Sequence, residues 1–321
     1  MSRLQRPKIL VIGELNVDIV MTGLRSAPEL GAEMLAENCE LTLGSASAIF
    51  AAGAAKLGNE VTFVSHVGRD YFGDFCLRKL EELGVSIEHV ARKVEEKTGV
   101  TIALSATRDR ALVTYTGAVA TLSSDHFSER LMKQHDHLHL TSYYLQKKLQ
   151  PSFADLLRQA REAGLKTSFD PNADPTEKWN TKIDAVLKYT DVLFVNEREA
   201  MKLTRSTTAK AALRTLGEKV DCAVIKRGRS GAIATRKGEI FTDSGFKVRV
   251  VDTTGAGDSF DAGFVSAYLR KAPLAECLQV ANACGALSAT RAGGTAGQPT
   301  QPQLQEFLGS NVRAARTKRN Q

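Results

Sequence analysis

A loop of small residues leads into a predicted helix in the last third of the chain. Residues 252–258 read Asp-Thr-Thr-Gly-Ala-Gly-Asp, and the helical spacing of Phe260 and Phe264 follows. Such a loop exposes backbone N–H groups at the start of the helix, which together with the helix dipole favour an anion. Because Gly255 and Gly257 have no Cβ, a phosphate can approach the backbone closely. The segment therefore predicts a phosphate site.

Asp258 follows these glycines and lies beside the predicted anion site. Like charges repel, so its carboxylate does not bind phosphate, but it suits a base that removes a proton from an attacking hydroxyl. An ordinary helix N-cap is the alternative, for which aspartate is common. A dinucleotide fingerprint would need its third glycine at Phe260, and the chain contains no Gly-Lys-Ser or Gly-Lys-Thr of a Walker A loop. We therefore expect phosphoryl transfer to a hydroxyl.

Predicted strands and helices alternate along the chain. The apolar patterns predict strands at 8–12, 60–66, 137–140, 166–169, 192–195, 223–225 and 247–251. They predict helices at 43–57, 74–83, 152–163, 197–203 and 209–216. This alternation predicts an α/β fold, a doubly wound and mostly parallel sheet flanked by helices. Ligands bind beyond the carboxyl ends of the strands in such sheets, so the chemistry is expected in the loops after Ile12, Phe169, Val195, Ile225 and Val251.

A predicted β-hairpin interrupts this alternation. Residues 100–106 and 111–116 are strand-like and meet across a polar turn at 107–110. We interpret the hairpin as part of a small β-sheet lid, built from about 17–43 and 97–120 and inserted into one kinase domain that spans 1–312. The exposed edge of such a lid favours pairing with a second copy of the chain. The basic residues of 313–321 are expected to form a disordered tail.

The composition is that of an ordinary globular protein, with 43% hydrophobic and 25% charged residues and a net charge of +7. The basic tail has no interleaved aromatic residues, which argues against a nucleic-acid arm. The five cysteines form no C-x-x-C pair, so a reducing compartment is expected. Neither a signal peptide nor a membrane span is predicted, and the cytoplasm is the expected location.

Residues 252–260 resemble the C-terminal signature of the PfkB-type, ribokinase-like carbohydrate kinases. The similarity extends from Ile9 to about Thr300 and includes further motifs at 13–18, 67–73, 98–100, 196–199 and 281–283. The resemblance implies a ribokinase-like fold and the Mg²⁺-dependent transfer of the γ-phosphate of ATP to a hydroxyl, a primary CH₂OH, of a sugar or sugar-like substrate.

The resemblance also implies roles for single residues. Gly255, Ala256 and Gly257 would form the anion hole, and Asp258 would be the base. Asn196 and Glu199 would bind the Mg²⁺-phosphate region, where Mg²⁺ requires oxygen ligands. The other nucleotide-binding residues would be Lys226, Gly228, Gly231 and Asn282. A monovalent-cation site for K⁺ would involve Asp252 and the loop 291–295.

By the same resemblance, six residues would contact the acceptor: Asn16, Asp18, Gly44, Ser45, Asp170 and Asn172. The chain departs from the family at two positions. Ile49 replaces an asparagine that touches the sugar, so this side of the pocket is less polar. Asp174 lies where some members have an arginine, which argues against specificity for an acidic sugar.

Three other classes of function compete with the sugar kinase. A nucleoside kinase of the same fold would place its base on the apolar surface near Ile49. A non-catalytic binding protein is disfavoured because Asp258, Asn196 and Glu199 are all present, and an NAD-dependent oxidoreductase lacks its fingerprint. A metal site at His135, His137 and His139 is a minor alternative, because alternation along a strand produces such rows by chance.

Overall fold

The computed structural model of the chain describes residues 6–106, 110–124, 127–179 and 182–319. The strands are β1 (Lys8–Ile12), β2 (Asn16–Leu24), β3 (Asn38–Leu43), β4 (Glu60–Gly68), β5 (Val85–Lys93), β6 (Gly99–Ala106), β7 (Arg110–Tyr115), β8 (His137–Thr141), β9 (Lys166–Asp170), β10 (Val192–Asn196), β11 (Cys222–Lys226), β12 (Ala232–Arg236) and β13 (Glu239–Asp243). The helices are α1 (Ala46–Lys56), α2 (Tyr71–Glu82), α3 (Glu129–Met132), α4 (Phe153–Glu162), α5 (Ile183–Leu187), α6 (Glu197–Thr204), α7 (Ala209–Gly217), α8 (Ala256–Leu269), α9 (Leu274–Ser288) and α10 (Gln301–Arg319).

Within the described ranges, nine strands form the main sheet in the order β13-β12-β11-β10-β9-β8-β1-β4-β5. The strands from β11 to β5 pair in parallel, and β12 and β13 add an antiparallel edge. Two separate apolar clusters cover the two faces. One contains side chains of α1, α2, α8 and α9, and the other contains side chains of α4 to α7. The prediction of a doubly wound α/β fold is confirmed.

The strand order reverses between β1 and β8. From β1 the chain proceeds to β4 on one side of the sheet, whereas from β8 it proceeds to β9 on the other. The connections therefore leave these two neighbouring strands in opposite directions and open a crevice beyond their carboxyl ends, which is where ligands bind in open α/β sheets. Residues of the loops after β1 and β8 line that crevice.

The lid is a separate four-stranded sheet in the order β3-β2-β6-β7. Its central pair, β2 and β6, is parallel, and β3 and β7 form antiparallel edges. The predicted hairpin of β6 and β7 is present, although most of its turn lies outside the described residues. The edge strand β7 exposes Leu112, Val113 and Tyr115 by 56–60% of their surface.

The prediction of a strand at 247–251 is wrong. This segment has no regular structure, and its residues Val248 and Val250 line a cleft. Phe246 packs against Phe307 with ring centroids 5.1 Å apart, and Val251 N–H donates to the carbonyl of Ala289 at the end of α9. Val250 and Val251 are 36% and 59% exposed, so the apolar residues of this segment do not form the buried face that the strand-like alternation predicts.

The C-terminal residues extend the last helix. The sequence predicts a disordered tail from Arg313, whereas α10 continues to Arg319.

Within the described part of the chain, no helix is long and apolar enough to cross a membrane.

Candidate active site

Two clefts meet at the start of α8. The larger cleft has a volume of about 480 Å³ and lies between the ends of β10 and β11, the segment 245–250 and α9. The smaller cleft has a volume of about 260 Å³ and lies between the lid, the start of α1 and the loops after β1 and β8. Three residues, Asn172, Gly255 and Asp258, line both clefts. The two clefts therefore meet beside these three residues.

The first turn of α8 is open to a ligand. Gly255 precedes the helix in the left-handed conformation, with a φ of 70°, and no side chain caps the helix. A Cβ at Gly255 would lie 2.7 Å from the Cα of Gly294, so only glycine fits there. The first N–H groups of a helix have no intrahelical partner and can bind an anion. Because Asp258 is the third helical residue, it is not the N-cap, and that alternative is excluded.

The environment of Asp258 disfavours its charged form. Burial raises the pKa of the Asp258 carboxyl to about 7. The positive charge of Lys226 opposes this shift, while the carboxylates of Asp170 and Glu14 add to it. A carboxyl group with a pKa near neutrality can accept a proton at pH 7 and release it again, which is the property required of a general base.

Lys226, at the end of β11, joins two buried carboxylates next to Asp258. Its Nζ lies 2.6 Å from Oδ2 of Asp170 and 3.1 Å from Oδ2 of Asp261. Burial alone would lower the pKa of the Lys226 ammonium, but the surrounding carboxylates outweigh burial and raise this pKa. Carboxylate oxygens of Asp170, Asp258 and Asp261 lie within 4.8 Å of one another. The ammonium therefore balances a cluster of negative charge at the boundary of the two clefts.

Asp261 was missed in the sequence, although a signal for it exists. It follows Asp258 by three residues in α8, and residues three apart in a helix lie on the same face.

Asp170 was recognised in the sequence, where we expected it to contact the acceptor. The structure places Asp170 on the larger cleft, fully buried against Lys226.

Asn196 and Glu199 form a capping box at the start of α6. Glu199 N–H donates to Oδ1 of Asn196 over 2.9 Å, and Asn196 N–H donates to Oε2 of Glu199 over 2.8 Å. Burial, followed by the charge of Asp170, raises the pKa of Glu199 to about 7. Both side chains line the larger cleft and offer the amide and carboxylate oxygens that Mg²⁺ prefers.

The remaining predicted nucleotide residues also line the larger cleft: Gly228, Gly231 and Asn282. Gly231 has a φ of 76°, and a Cβ there would lie 2.0 Å from the carbonyl oxygen of Asp243. Asn282 Nδ2 donates to Oδ1 of the same Asp243 over 2.6 Å. These contacts fix the wall of the cleft formed by α9 and the start of β12.

Asn16, Asp18 and Ser45 line the smaller cleft, and Asn172 completes its floor. Asn16 Nδ2 donates to Oδ1 of Asp18 over 3.1 Å. A Cβ at Gly44 would lie 2.1 Å from that same oxygen, so Gly44 makes room for the pair. Ser45 adopts a φ of 74°, which is unusual for a non-glycine residue; its hydroxyl donates to the Glu14 carbonyl and accepts from the N–H of Ala48.

A second residue missed in the sequence is Glu14, which follows β1 and is only 2% exposed. Its carboxylate lies 2.6 Å from the hydroxyl oxygen of Ser47 and 2.7 Å from that of Ser142, and it accepts the N–H of Ser47. The glutamate lies within a recognised motif, but the sequence alone does not show that its side chain turns towards α1.

Ile49 packs against two glycines, Gly255 before α8 and Gly294 in the loop 291–295. A Cβ at Gly255 would lie 2.9 Å from Cγ2 of Ile49, and one at Gly294 would lie 2.4 Å from Cδ1. Nearby, Asp252 joins the segment before α8 to the loop 291–295, because its carboxylate accepts the N–H groups of Thr254 and Gly293. Lys56 Nζ donates to the carbonyl of Thr295 in the same loop over 2.6 Å.

Two histidines of the row lie in the packed interior of the sheet, whereas His135 is partly buried and precedes β8. His137 and His139 are buried and share the hydroxyl of Ser168, each at 2.7 Å, while His135 contacts Thr62. The ring of His139 also stacks on that of Phe50, with centroids 3.6 Å apart. Among the described residues no histidine belongs to a cluster with metal-ligand geometry.

Together, the lidded α/β sheet and the uncapped helix N-terminus between two clefts define an enzyme of the small-molecule kinase class. The comparisons with known proteins agree with this class. A family profile described as pfkB family carbohydrate kinase matches residues 6–301. The chain therefore belongs to this family and is an ATP-dependent carbohydrate kinase.

Individual relatives cover nearly the whole chain. A ribokinase of Haemophilus influenzae is 28% identical, over 94% of this chain and 99% of its own length. An ATP-dependent ribose-1-phosphate kinase of Halopiger xanaduensis is 31% identical, over 94% and 98%. A crystal structure of a putative ribokinase II of E. coli in complex with ATP and Mg²⁺ has a TM-score of 0.84 at 26% identity and covers 95% of this chain and 99% of its own.

The raised pKa of Asp258 predicts a pH-dependent effect on stability. In the unfolded chain this carboxyl has a pKa of about 4. The stabilisation that comes from its neutral form is therefore lost as the pH rises from about 4 to about 7. Urea unfolding should show that Asp258→Asn gains stability relative to the wild type between pH 5 and pH 8. Asp155→Asn, at an exposed position of α4, should show no such gain. Equal behaviour of the two variants would contradict the burial of Asp258.

Proposed function

We propose that the protein transfers the γ-phosphate of ATP from the larger cleft to a hydroxyl of an acceptor in the smaller cleft, with Asp258 as the base. The observation that supports this most strongly is the position of Asp258 on the boundary of both clefts. The acceptor hydroxyl would lie next to its carboxylate, and the N–H groups around Gly255, Ala256 and Gly257 would stabilise the charge on the transferred group.

On the nucleotide side, the residues of the larger cleft divide into three tasks. Asn196 and Glu199 would hold Mg²⁺ and its bound waters against the phosphates, and Mg²⁺ would neutralise the negative charge that builds up between them. Lys226 would place a positive charge beside the γ-phosphate, with Asp170 and Asp261 fixing its position. Gly228, Gly231 and Asn282 would form the wall against the rest of the nucleotide.

On the acceptor side, Asn16 and Asp18 would bind hydroxyl groups, and Gly44, Ser45 and Asn172 would shape the floor of the cleft. The lid would close over the acceptor, because transfer to a sugar must compete with transfer to water. A nucleoside acceptor is the second candidate. The observation in its favour is the set of apolar side chains on the walls of this cleft: Ile49, Ala103, Leu112, Val119 and Leu145.

We place the protein in a reducing compartment, the cytoplasm. All five cysteines are free, and four of them are buried in the apolar core, where they behave as small hydrophobic residues.

We further propose that K⁺ binds between Asp252 and the loop 291–295. Its support is the carboxylate of Asp252, the carbonyl groups of a glycine-rich loop and their position directly behind the anion site at Gly255. If K⁺ orders this loop, activity in KCl should exceed that in tetramethylammonium chloride at equal ionic strength by about tenfold or more. Equal activity in both salts would contradict the proposal, and would be consistent with the ammonium of Lys56 holding the loop unaided.

The lid is also proposed to pair two copies of the chain. Its edge strand β7 exposes Val113 and Tyr115, and an exposed strand edge with apolar side chains tends to find a partner. Light scattering should give the mass of a dimer at micromolar concentration. A constant monomer mass up to high concentration would refute the pairing and leave the closure of the lid untouched.

The base is tested by Asp258→Asn, which keeps the shape of the side chain. The kcat with the best acceptor should fall by about 10²-fold or more, because general-base catalysis typically contributes roughly 10² to 10⁴. Calorimetry should show that ATP binding survives, since the variant keeps the shape of the side chain and removes only a negative charge from beside the phosphates. Asp155→Asn serves as the control with the same chemical change on an exposed surface. Near-normal turnover in Asp258→Asn would remove the central residue of the proposal.

A further inference from the structure

Among the described residues, the charged side chains that line the smaller cleft are all acidic. Its lining contains three carboxyl groups, those of Glu14, Asp18 and Asp258. Among the residues that the structure describes, this lining contains no lysine, arginine or histidine. An acceptor that carries a carboxylate or a phosphate would therefore meet negative charge without a cationic partner.

The helix N-terminus on the acceptor side is already occupied. Helix α1 begins at the smaller cleft, and helix N-termini are natural sites for anions. Here the protein supplies the anion itself, because the carboxylate of Glu14 accepts the N–H and the hydroxyl of Ser47 in the first turn. The hydroxyl of Ser142 contacts the same carboxylate from the end of β8. An anionic group of an acceptor cannot use these donors without displacing a buried carboxylate.

The positive charge nearest to Asp258, that of Lys226, faces the larger cleft. The ammonium of Lys226 lies between the carboxylates of Asp170 and Asp261 and lines the larger cleft only. Asp174, close to the floor of the smaller cleft, accepts N–H groups of Thr176 and Trp179 and adds a further buried negative charge. The positive charge of Lys226 therefore does not face an acceptor in the smaller cleft, and Asp174 has none to offer.

From this distribution we infer that the acceptor is uncharged: the smaller cleft selects neutral polyhydroxy compounds and rejects sugar acids and sugar phosphates. The inference rests on the proposed kinase function and narrows its substrate class. Two like charges about 6 Å apart, at an effective dielectric constant of about 20, change an equilibrium constant by about 10²-fold. A neutral acceptor should therefore exceed its anionic counterpart by about that factor.

The wild-type protein is tested with matched pairs of acceptors that share a free primary hydroxyl. D-Glucitol is compared with D-gluconate, and D-ribose with D-ribose 1-phosphate. Within each pair, kcat/KM should favour the neutral compound by about 10²-fold. Affinities are also measured by calorimetry with a non-hydrolysable ATP analogue, so that the comparison does not require turnover. Equal or better use of the anionic compound would overturn the inference while the kinase function stands, whereas binding of acceptors without any phosphorylation would contradict the kinase function alone.

A positive charge introduced into the lining of the smaller cleft tests whether electrostatics causes the selection of neutral acceptors. Leu112 lines the smaller cleft from the lid and is 56% exposed, so Leu112→Arg should fold normally. The variant should raise the ratio of anionic to neutral acceptor, in both kcat/KM and affinity, by about tenfold or more relative to the wild type. Ile240→Arg adds the same charge on β13, at the far edge of the main sheet, and should leave the ratio unchanged. A ratio that Leu112→Arg does not move would overturn the electrostatic basis of the selection.

Discussion

The site depends on one buried positive charge. Lys226 connects the end of β11 to the end of β9 through Asp170 and to α8 through Asp261. Removing one partner of such a buried ion pair leaves an uncompensated charge and typically destabilises a protein by about 3–5 kcal/mol. The ammonium also allows Asp170, Asp258 and Asp261 to lie within 4.8 Å of one another. Without it, the repulsion among these carboxyl groups would favour their protonation, so the charge at the point where the two clefts meet depends on Lys226.

Tight packing and local strain complete this arrangement. The glycine at 255 lies against Gly294 and Ile49, so the start of α8 is held from behind by contacts that tolerate no added atom. Ser45 and Ser142 take left-handed φ values on the floor of the smaller cleft. Strained residues of this kind cost about 1–3 kcal/mol each and persist where surrounding contacts determine the backbone. The hydrogen bonds of Glu14 to Ser47 and Ser142 are contacts of that kind.

The parts of this site that depend on local physics can be predicted from local sequence. The glycines and Asp258 stand out because a loop of small residues before a helix is the arrangement that anion binding requires, and the parallel sheet follows from regular alternation. The partners of Lys226 cannot be predicted in this way, because the face of a strand or helix that a charged residue occupies depends on contacts between distant segments. For the same reason local sequence does not show that Asp170 lies against Lys226 on the larger cleft, and it predicts a strand at 247–251, where the structure has no regular element.

We propose that phosphoryl transfer takes place at the boundary of the two clefts, beside Asp258. A crystal structure with a non-hydrolysable ATP analogue, Mg²⁺ and an acceptor tests this most directly. We expect the γ-phosphate to contact backbone N–H groups of residues 255–257, and the acceptor hydroxyl to lie within about 3 Å of the Asp258 carboxylate. A γ-phosphate bound away from the start of α8, or an acceptor hydroxyl beyond the reach of Asp258, would contradict it.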